Sequence, residues 1–275
     1  MSESETRIEV VRVRGGVHAD AEDAVATEAP LEVRVDGRTY AVLMRTPGDD
    51  RALAAGFLLS ERLIRGADDL ATLEHCADLT VPSADPRRNT VLVTLDTAAS
   101  ARASHLLAQR RDVLSSSSCG VCGRATVDSL QVDLMRIDSD VQVSTAVLCG
   151  LPEQLRSRQA VFASTGGLHA AGLFAADGTL MRVAEDVGRH NAVDKVIGAS
   201  LLREELPLSR SVLVVSGRTS FELVQKAWCA GIPVVAAVSA PSSLAVALAK
   251  EAGITLAGFV RDGGLNIYAG AERLV

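Results

Sequence analysis

Short apolar runs and amphipathic stretches take turns along the C-terminal half of the chain. Ser211–Val215 reads as a buried strand, Thr219–Ala230 as a helix and Pro233–Val238 as a strand. Ser242–Ala252 follows as a helix and Ile254–Val260 as a third strand. Strands and helices that alternate through short connections predict parallel strands covered by helices. Ligands in such sheets sit at the carboxyl ends of the strands. Here those ends are Ser216-Gly217-Arg218-Thr219, Ser239-Ala240-Pro241-Ser242 and Arg261-Asp262-Gly263-Gly264. All are small and polar, and two carry an arginine, so they outline a ligand-binding surface.

The rest of the chain is read the same way. Leu31–Val35 and Thr39–Met44 flank Asp36-Gly37, and Leu168–Phe174 and Thr179–Ala184 flank Asp177-Gly178. Both are hairpin signals, since Asp-Gly suits the tight turns that match strand twist. Asp50–Ile64 has apolar positions at helical spacing and stops before Gly66. Thr90–Leu95 is a short strand, Ala101–Arg111 a helix, and Ser115-Ser116-Ser117-Ser118 a loop without periodicity. Residues 1–29 are polar, with one strand-like run at Ile8–Val13, and are expected to form an acidic extension with little independent structure. A boundary near 140 then separates a small α+β unit (30–140) from an α/β unit (141–275), and no internal repeat links the halves.

Composition narrows the classes. The chain has 275 residues, is 48% hydrophobic and 23% charged, and carries a formal charge of −6. This is globular rather than disordered composition, and the acidic balance excludes nucleic acid as a bulk partner. Of 28 basic residues 25 are Arg and only Lys195, Lys226 and Lys250 are Lys. Genomic bias accounts for that, although a guanidinium fork also suits phosphate. Residues 1–30 contain no apolar core of a signal peptide, and no run of about 18 apolar residues occurs. Five scattered cysteines do not make a secreted disulfide framework. The expectation is a cytoplasmic protein with reduced thiols and no membrane partner.

The most reactive segment is Cys119-Gly120-Val121-Cys122-Gly123. A structural zinc site normally needs four ligands, and His75-Cys76 is an awkward second half. A thioredoxin-like redox pair opens a helix after a strand, and a serine tract precedes this one. The third reading is a sulfur-carrying thiolate on a mobile arm, with Arg124 favouring the ionised thiol and glycines 120 and 123 leaving the backbone open to approach. Zinc deaminases place H-x-E before their thiols; here the thiols come first and His169-Ala170-Ala171 lacks the glutamate. Cys76, Cys149 and Cys229 read as small buried hydrophobes.

Two polar strings remain. Thr165-Gly166-Gly167-Leu168-His169 brings glycines and a histidine to a strand entry. The run Glu185-Asp186-Val187-Gly188-Arg189-His190-Asn191-Ala192-Val193-Asp194-Lys195 is much denser in charge, and its Gly188–Asn191 portion falls at a presumed helix start, where backbone N–H groups attract anions. With Arg218, Thr219 and Arg261 they suggest a pocket for a phosphate-bearing ligand. No P-loop and no dinucleotide-binding glycine motif is present.

These strings resemble the FdhD family of sulfur carriers required for formate dehydrogenase activity. The resemblance rests on Ser118–Gly123, Gly166–Ala171 and Glu185–Lys195. It extends to Gly56-Phe57-Leu58-Leu59-Ser60-Glu61, Ser216-Gly217-Arg218 and Gly258-Phe259-Val260-Arg261, and so runs from about Pro30 to Tyr268. It implies an α/β fold, a cytidine-deaminase-like three-layer domain with the smaller N-terminal α+β unit, and a cytoplasmic homodimer. It also implies a sulfurtransferase that takes persulfide sulfur from a cysteine desulfurase. The sulfur passes to the molybdenum (or tungsten) bis-guanine dinucleotide cofactor, bound as substrate with no structural metal, and the cofactor enters formate dehydrogenase. Cys119 takes the carrier role and Cys122 assists or resolves. The cofactor-binding stretch falls on Phe259, Val260, Arg261, Asp262, Gly263 and Gly264, with Arg218 and Thr219 added from the strand-end argument. The alternative is a non-catalytic chaperone that binds and delivers the cofactor. The resemblance leaves the roles of His169 and Arg189 open.

Overall fold

In the computed structural model the described residues are 3–76, 89–109, 134–261 and 263–275. Cys119, Cys122, the serine tract, Arg124 and Asp262 lie outside them. The chain runs β1 (Glu5–Arg14), β2 (Val17–Ala26), β3 (Ala29–Val35), β4 (Arg38–Arg45), α1 (Asp50–Ser60), β5 (Leu70–His75), β6 (Thr90–Leu95) and α2 (Thr97–Gln109). After residue 134 come α3 (Thr145–Ser157), α4 (Ala160–Thr165), β7 (His169–Ala175), β8 (Leu180–Asp186), α5 (Arg189–Leu201), β9 (Ser211–Val215), α6 (Phe221–Cys229), β10 (Val234–Ala237), α7 (Ser243–Ala252), β11 (Thr255–Arg261) and β12 (Gly264–Ala269).

The central sheet has the order β12-β11-β10-β9-β7-β8. β9, β10 and β11 are parallel, as their spacing predicted, while β7 runs antiparallel to β9 and β12 to β11. Side chains of a strand alternate between the two faces of its sheet. Val212, Val214, Val234 and Ala236 therefore pack with Leu148, Leu151 and Leu155 of α3 on one face. Leu213, Val215, Val235 and Ala237 join the apolar side chains of α5, α6 and α7 on the other. Burial on both faces explains why these strands read as unbroken apolar runs. The result is three layers, helix on sheet on helices.

A second sheet, β4-β3-β6-β5, joins this body through α1. Its Leu31, Val33, Val91 and Val93 belong to the same apolar cluster as Val193 and Ile197 of α5, so the core passes residue 140 unbroken. α1 crosses α5 at backbone contact. A Cβ on Gly56 would stand 2.0 Å from the Asp194 carbonyl oxygen, and one on Gly198 would stand 1.9 Å from that of Ala52. Only glycine admits this approach. No helix among the described residues is long and apolar enough to cross a membrane.

The first 29 residues differ from expectation. β1 and β2 pair over their whole length, from Glu5 opposite Ala26 to Arg14 opposite Val17. Gly15 and Gly16 turn the corner at φ 56° and 81°, the left-handed values that a two-residue hairpin turn requires. A two-stranded ribbon alone is marginal in water, and this one is anchored at its base, where Ser164 of α4 donates to the Glu5 carboxylate at 2.7 Å.

Asp50, the first residue of α1, is held by Arg45 through a two-pronged pair, with Nε and Nη2 each donating at 2.8 Å to one carboxylate oxygen. Both side chains are buried. Burial pushes the Asp50 carboxyl up, and the His75 and Arg45 groups beside it more than reverse this, holding it at about 2. A carboxyl depressed in the folded state stabilises above its unfolded value and loses that contribution as pH falls through the folded one. We expect the urea stability of the native chain to exceed that of Asp50→Asn by about 2 kcal/mol more at pH 5 than at pH 2. Parallel stability curves would remove Asp50 as the cause.

Candidate functional site

The carboxyl ends of β9, β10 and β11 open on a cavity of about 1160 Å3, larger than the roughly 300–1000 Å3 of a usual small-ligand pocket. Ser216, Val238, Val260, Arg261 and Gly263 line it from the strand ends, and Gly166, Gly167 and His169 from the entry to β7. α3 supplies the facing wall. Its Leu148, Leu151 and Leu155 go into the core, which turns the Cys149, Glu153 and Arg156 stripe to the cavity. In the last turn of α3, Arg156 lies over the Phe162 ring of α4, 3.9 Å from its centroid, a cation–π contact that fixes the guanidinium.

His169 lies beside the Gly217 backbone, whose ideal Cβ position is 3.4 Å from the imidazole Nδ1 and 3.7 Å from Cδ of Arg189. Burial, and after it the Arg189 charge, lower the His169 pKa against the pull of Asp186. The imidazole is therefore neutral at neutral pH and can both donate and accept. Nε of Arg189 is buried and has no hydrogen-bond partner among the described residues. Ser216 secures the neighbouring backbone, its hydroxyl accepting from Ala170 N–H at 2.9 Å.

At the end of β11 the ladder slips between Gly258 and Arg261. Phe259 takes φ 54°, a left-handed value that is unfavourable for an aromatic residue. The twist leaves Phe259 partly exposed while Val260 is fully buried, and Val260 and Arg261 both line the cavity. Strain of this kind clusters at functional sites.

Val260, Arg261 and Gly263 come together on the cavity wall, whereas Phe259 and Gly264 are not among its lining residues. Arg218 is exposed and Thr219 is buried, bridged to Pro241, and neither lines the cavity. Asp262, Cys119 and Cys122 lie outside the described residues. Glu153 and Arg156 were not expected at the cavity, whereas His169 and Ser216 stood in strings expected to form the pocket, with no contact assigned to either. Ser216 stood in a strand-end string that pointed to its arginine instead, and Gly150 and Pro152 disguise α3 because both disfavour a helix interior. Among the described residues no group of three or more His, Cys, Asp or Glu could hold a metal ion; His75 stands 3.2 Å from Asp50 instead.

The dense run at 185–195 does mostly internal work. Glu185 accepts from the Val161 and Phe162 N–H groups at 3.0 and 2.7 Å, capping the start of α4. The negative charge at the start of α5 is supplied by the chain itself: Asp186 accepts from Gly188 N–H at 2.8 Å and from Asn191 Nδ2 at 2.9 Å. Lys195 Nζ lies 2.8 Å from Asp186, 2.9 Å from the Thr46 carbonyl and 3.3 Å from the Glu185 carbonyl. Three ammonium hydrogens thus meet three acceptors, a match that a planar guanidinium fork does not make. At this helix start Asp186 thus meets the Gly188 N–H and the Asn191 side chain, and the cavity lies at the strand ends.

Comparison with known proteins places this architecture. A family model described as the FdhD/NarQ family matches residues 26–275. A sulfur carrier protein FdhD of Streptomyces coelicolor is 50% identical over 271 residues, covering 98% of this chain and 95% of that protein. One from Sulfurisphaera tokodaii is 43% identical over 272 residues, covering 98% of each. A solved structure of a candidate formate dehydrogenase accessory protein from Desulfotalea psychrophila superposes with a TM-score of 0.77 at 25% identity, covering 98% of this chain and 99% of that one.

Proposed function

The chain belongs to the FdhD/NarQ family, and from that premise we propose that it is a sulfur carrier for the maturation of formate dehydrogenase. The observation that carries the reading is its 43–50% identity, over 98% of its length, to proteins named sulfur carriers. Both thiols of the Cys119-x-x-Cys122 pair are present in the sequence.

In this reading the Cys119 thiolate attacks the terminal sulfur of a persulfide on a cysteine desulfurase. The new S–S bond forms as the old one breaks, the donor cysteine leaves as its thiolate, and Cys119 keeps the terminal sulfur with its proton. The step is a thiol–disulfide exchange and needs no outside oxidant. Cys122 assists the onward transfer or resolves the persulfide. The acceptor is the molybdenum or tungsten cofactor with its guanine dinucleotides, held as substrate. Three properties of the cavity support it as the place where the nucleotide-bearing end sits: its volume, its position at the strand ends, and the Arg261 guanidinium on its wall, which has no ion pair or hydrogen bond among the described residues. A cytoplasmic homodimer serving a formate dehydrogenase completes the reading.

The experiment is mass spectrometry after incubation with a desulfurase and cysteine. The native chain is expected to gain one sulfur mapped to Cys119, and Cys119→Ala to gain none there. A native chain that stays unlabelled, or is labelled only at Cys76, Cys149 or Cys229, overturns the carrier assignment.

A further inference from the structure

The described lining of the cavity holds a single carboxylate, Glu153, against Arg156, Arg261 and the neutral His169. Glu153 is exposed on α3, and its carboxylate makes no ion pair or hydrogen bond among the described residues. An acidic side chain is out of place in a cavity meant only for phosphate. Beside it the wall is apolar and low: Ala146, Cys149 and Gly150 from α3, with Val238 and Val260 from the strand ends. Nothing lies within 4 Å of the point that a Cβ on Gly150 would occupy, so the wall leaves room for a flat ring.

A ligand that satisfies these walls has a planar body, an anionic tail for Arg261 and hydrogen-bond donors for the carboxylate. An ionised carboxylate only accepts, and its two oxygens take two adjacent donors at once. Guanine offers such a pair in N1–H and the 2-amino group. Hypoxanthine offers only the first, and adenine turns an acceptor toward the same position. We propose that Glu153 reads the base of the bound nucleotide and selects guanine. The inference rests on the cavity being the nucleotide site, and it makes Glu153 a specificity residue in direct contact with the substrate.

The test is calorimetric titration of the full-length native chain, Glu153→Ala, Glu153→Gln and Arg261→Ala with GDP, IDP and ADP. IDP differs from GDP only by the missing 2-amino group. Glu153 is exposed, so its variants keep the core, and circular dichroism checks that they fold. The native chain is expected to bind GDP about tenfold or more tightly than IDP, the usual worth of a hydrogen bond to a charged group. Glu153→Ala is expected to bind GDP and IDP alike, and Glu153→Gln to lose most of the preference, because its amide turns a donor toward the base. Arg261→Ala weakens all three nucleotides and keeps their order. Equal binding of GDP and IDP to the native chain, with the Arg261 effect intact, overturns the role of Glu153 and leaves the cavity as the site. A guanine preference that survives in Glu153→Ala also overturns it. If no nucleotide binds the native chain, the cavity reading and the inference fall together.

Discussion

A chain carrying both Cys119→Ala and Cys122→Ala is expected to restore no formate dehydrogenase activity to cells that lack this protein, while still binding GDP. Sulfur transfer requires a thiolate to receive the sulfur and a sulfur–sulfur bond to release it, and alanine supplies neither. Loss of a nucleophile in other enzymes has lowered turnover by about a millionfold, so the expected outcome is activity indistinguishable from that of cells without the protein. Retained GDP affinity matters equally, because no described cavity residue is touched by the exchange. Cys149 lies on the cavity wall, yet the proposed persulfide chemistry belongs to the pair and not to this third thiol. If the double variant restores the dehydrogenase, the thiols are incidental, and the protein acts as a chaperone that binds and hands over the cofactor.

What the sequence disclosed follows the range of the forces involved. β9, β10 and β11 were readable because burial on both faces writes an apolar run into consecutive residues. The turns at Asp36-Gly37 and Asp177-Gly178 were readable because Gly37 and Gly178 need positive φ. The Ile8–Val13 run of β1 was readable as strand-like, but its pairing with β2 was missed because every position of the ribbon is exposed or half-buried, so its polarity resembles that of a tail. The location of the cavity followed from strand polarity, but its lining did not. That Phe259 turns aside for Arg261 goes with a local slip of the β11–β12 ladder, and that Ser216 rather than Arg218 lines the cavity is decided in the short loop after β9. The density of the 185–195 run was visible as well. Its meaning was hidden, because Lys195 answers Thr46 across 149 positions and Asp194 answers Ser60 across 134.

That hidden network yields the largest stability effect. Replacing Lys226 with methionine is expected to lower the free energy of unfolding by about 3–5 kcal/mol. Nζ of Lys226 lies 2.9 and 2.8 Å from the two oxygens of Asp194, and 3.4 Å from Glu222. Lys226 is 3% exposed and Asp194 2%. Although burial lowers the Lys226 pKa, the Asp194 and Glu222 carboxylates raise it above the ordinary lysine range, so the ammonium keeps its charge. Two of only three lysines in the chain are buried, Lys226 here and Lys195 against Asp186 and the Thr46 carbonyl, whereas the abundant arginine is absent from both places. Methionine has a similar stem and no charge, and it leaves Asp194 buried with the Ser60 hydroxyl at 2.9 Å as its remaining side-chain hydrogen bond among the described residues. Urea unfolding followed by circular dichroism gives the measurement, and an unchanged midpoint would show that the ammonium contributes nothing. Removing both charges separates repulsion from packing. A Lys226→Met, Asp194→Leu double variant is expected to regain part of the loss, since an apolar pair often replaces a buried ion pair at little cost. If the double variant is as unstable as the sum of the two single ones, the cause is lost packing where α5 meets α6, and the ion pair is not what holds that seam.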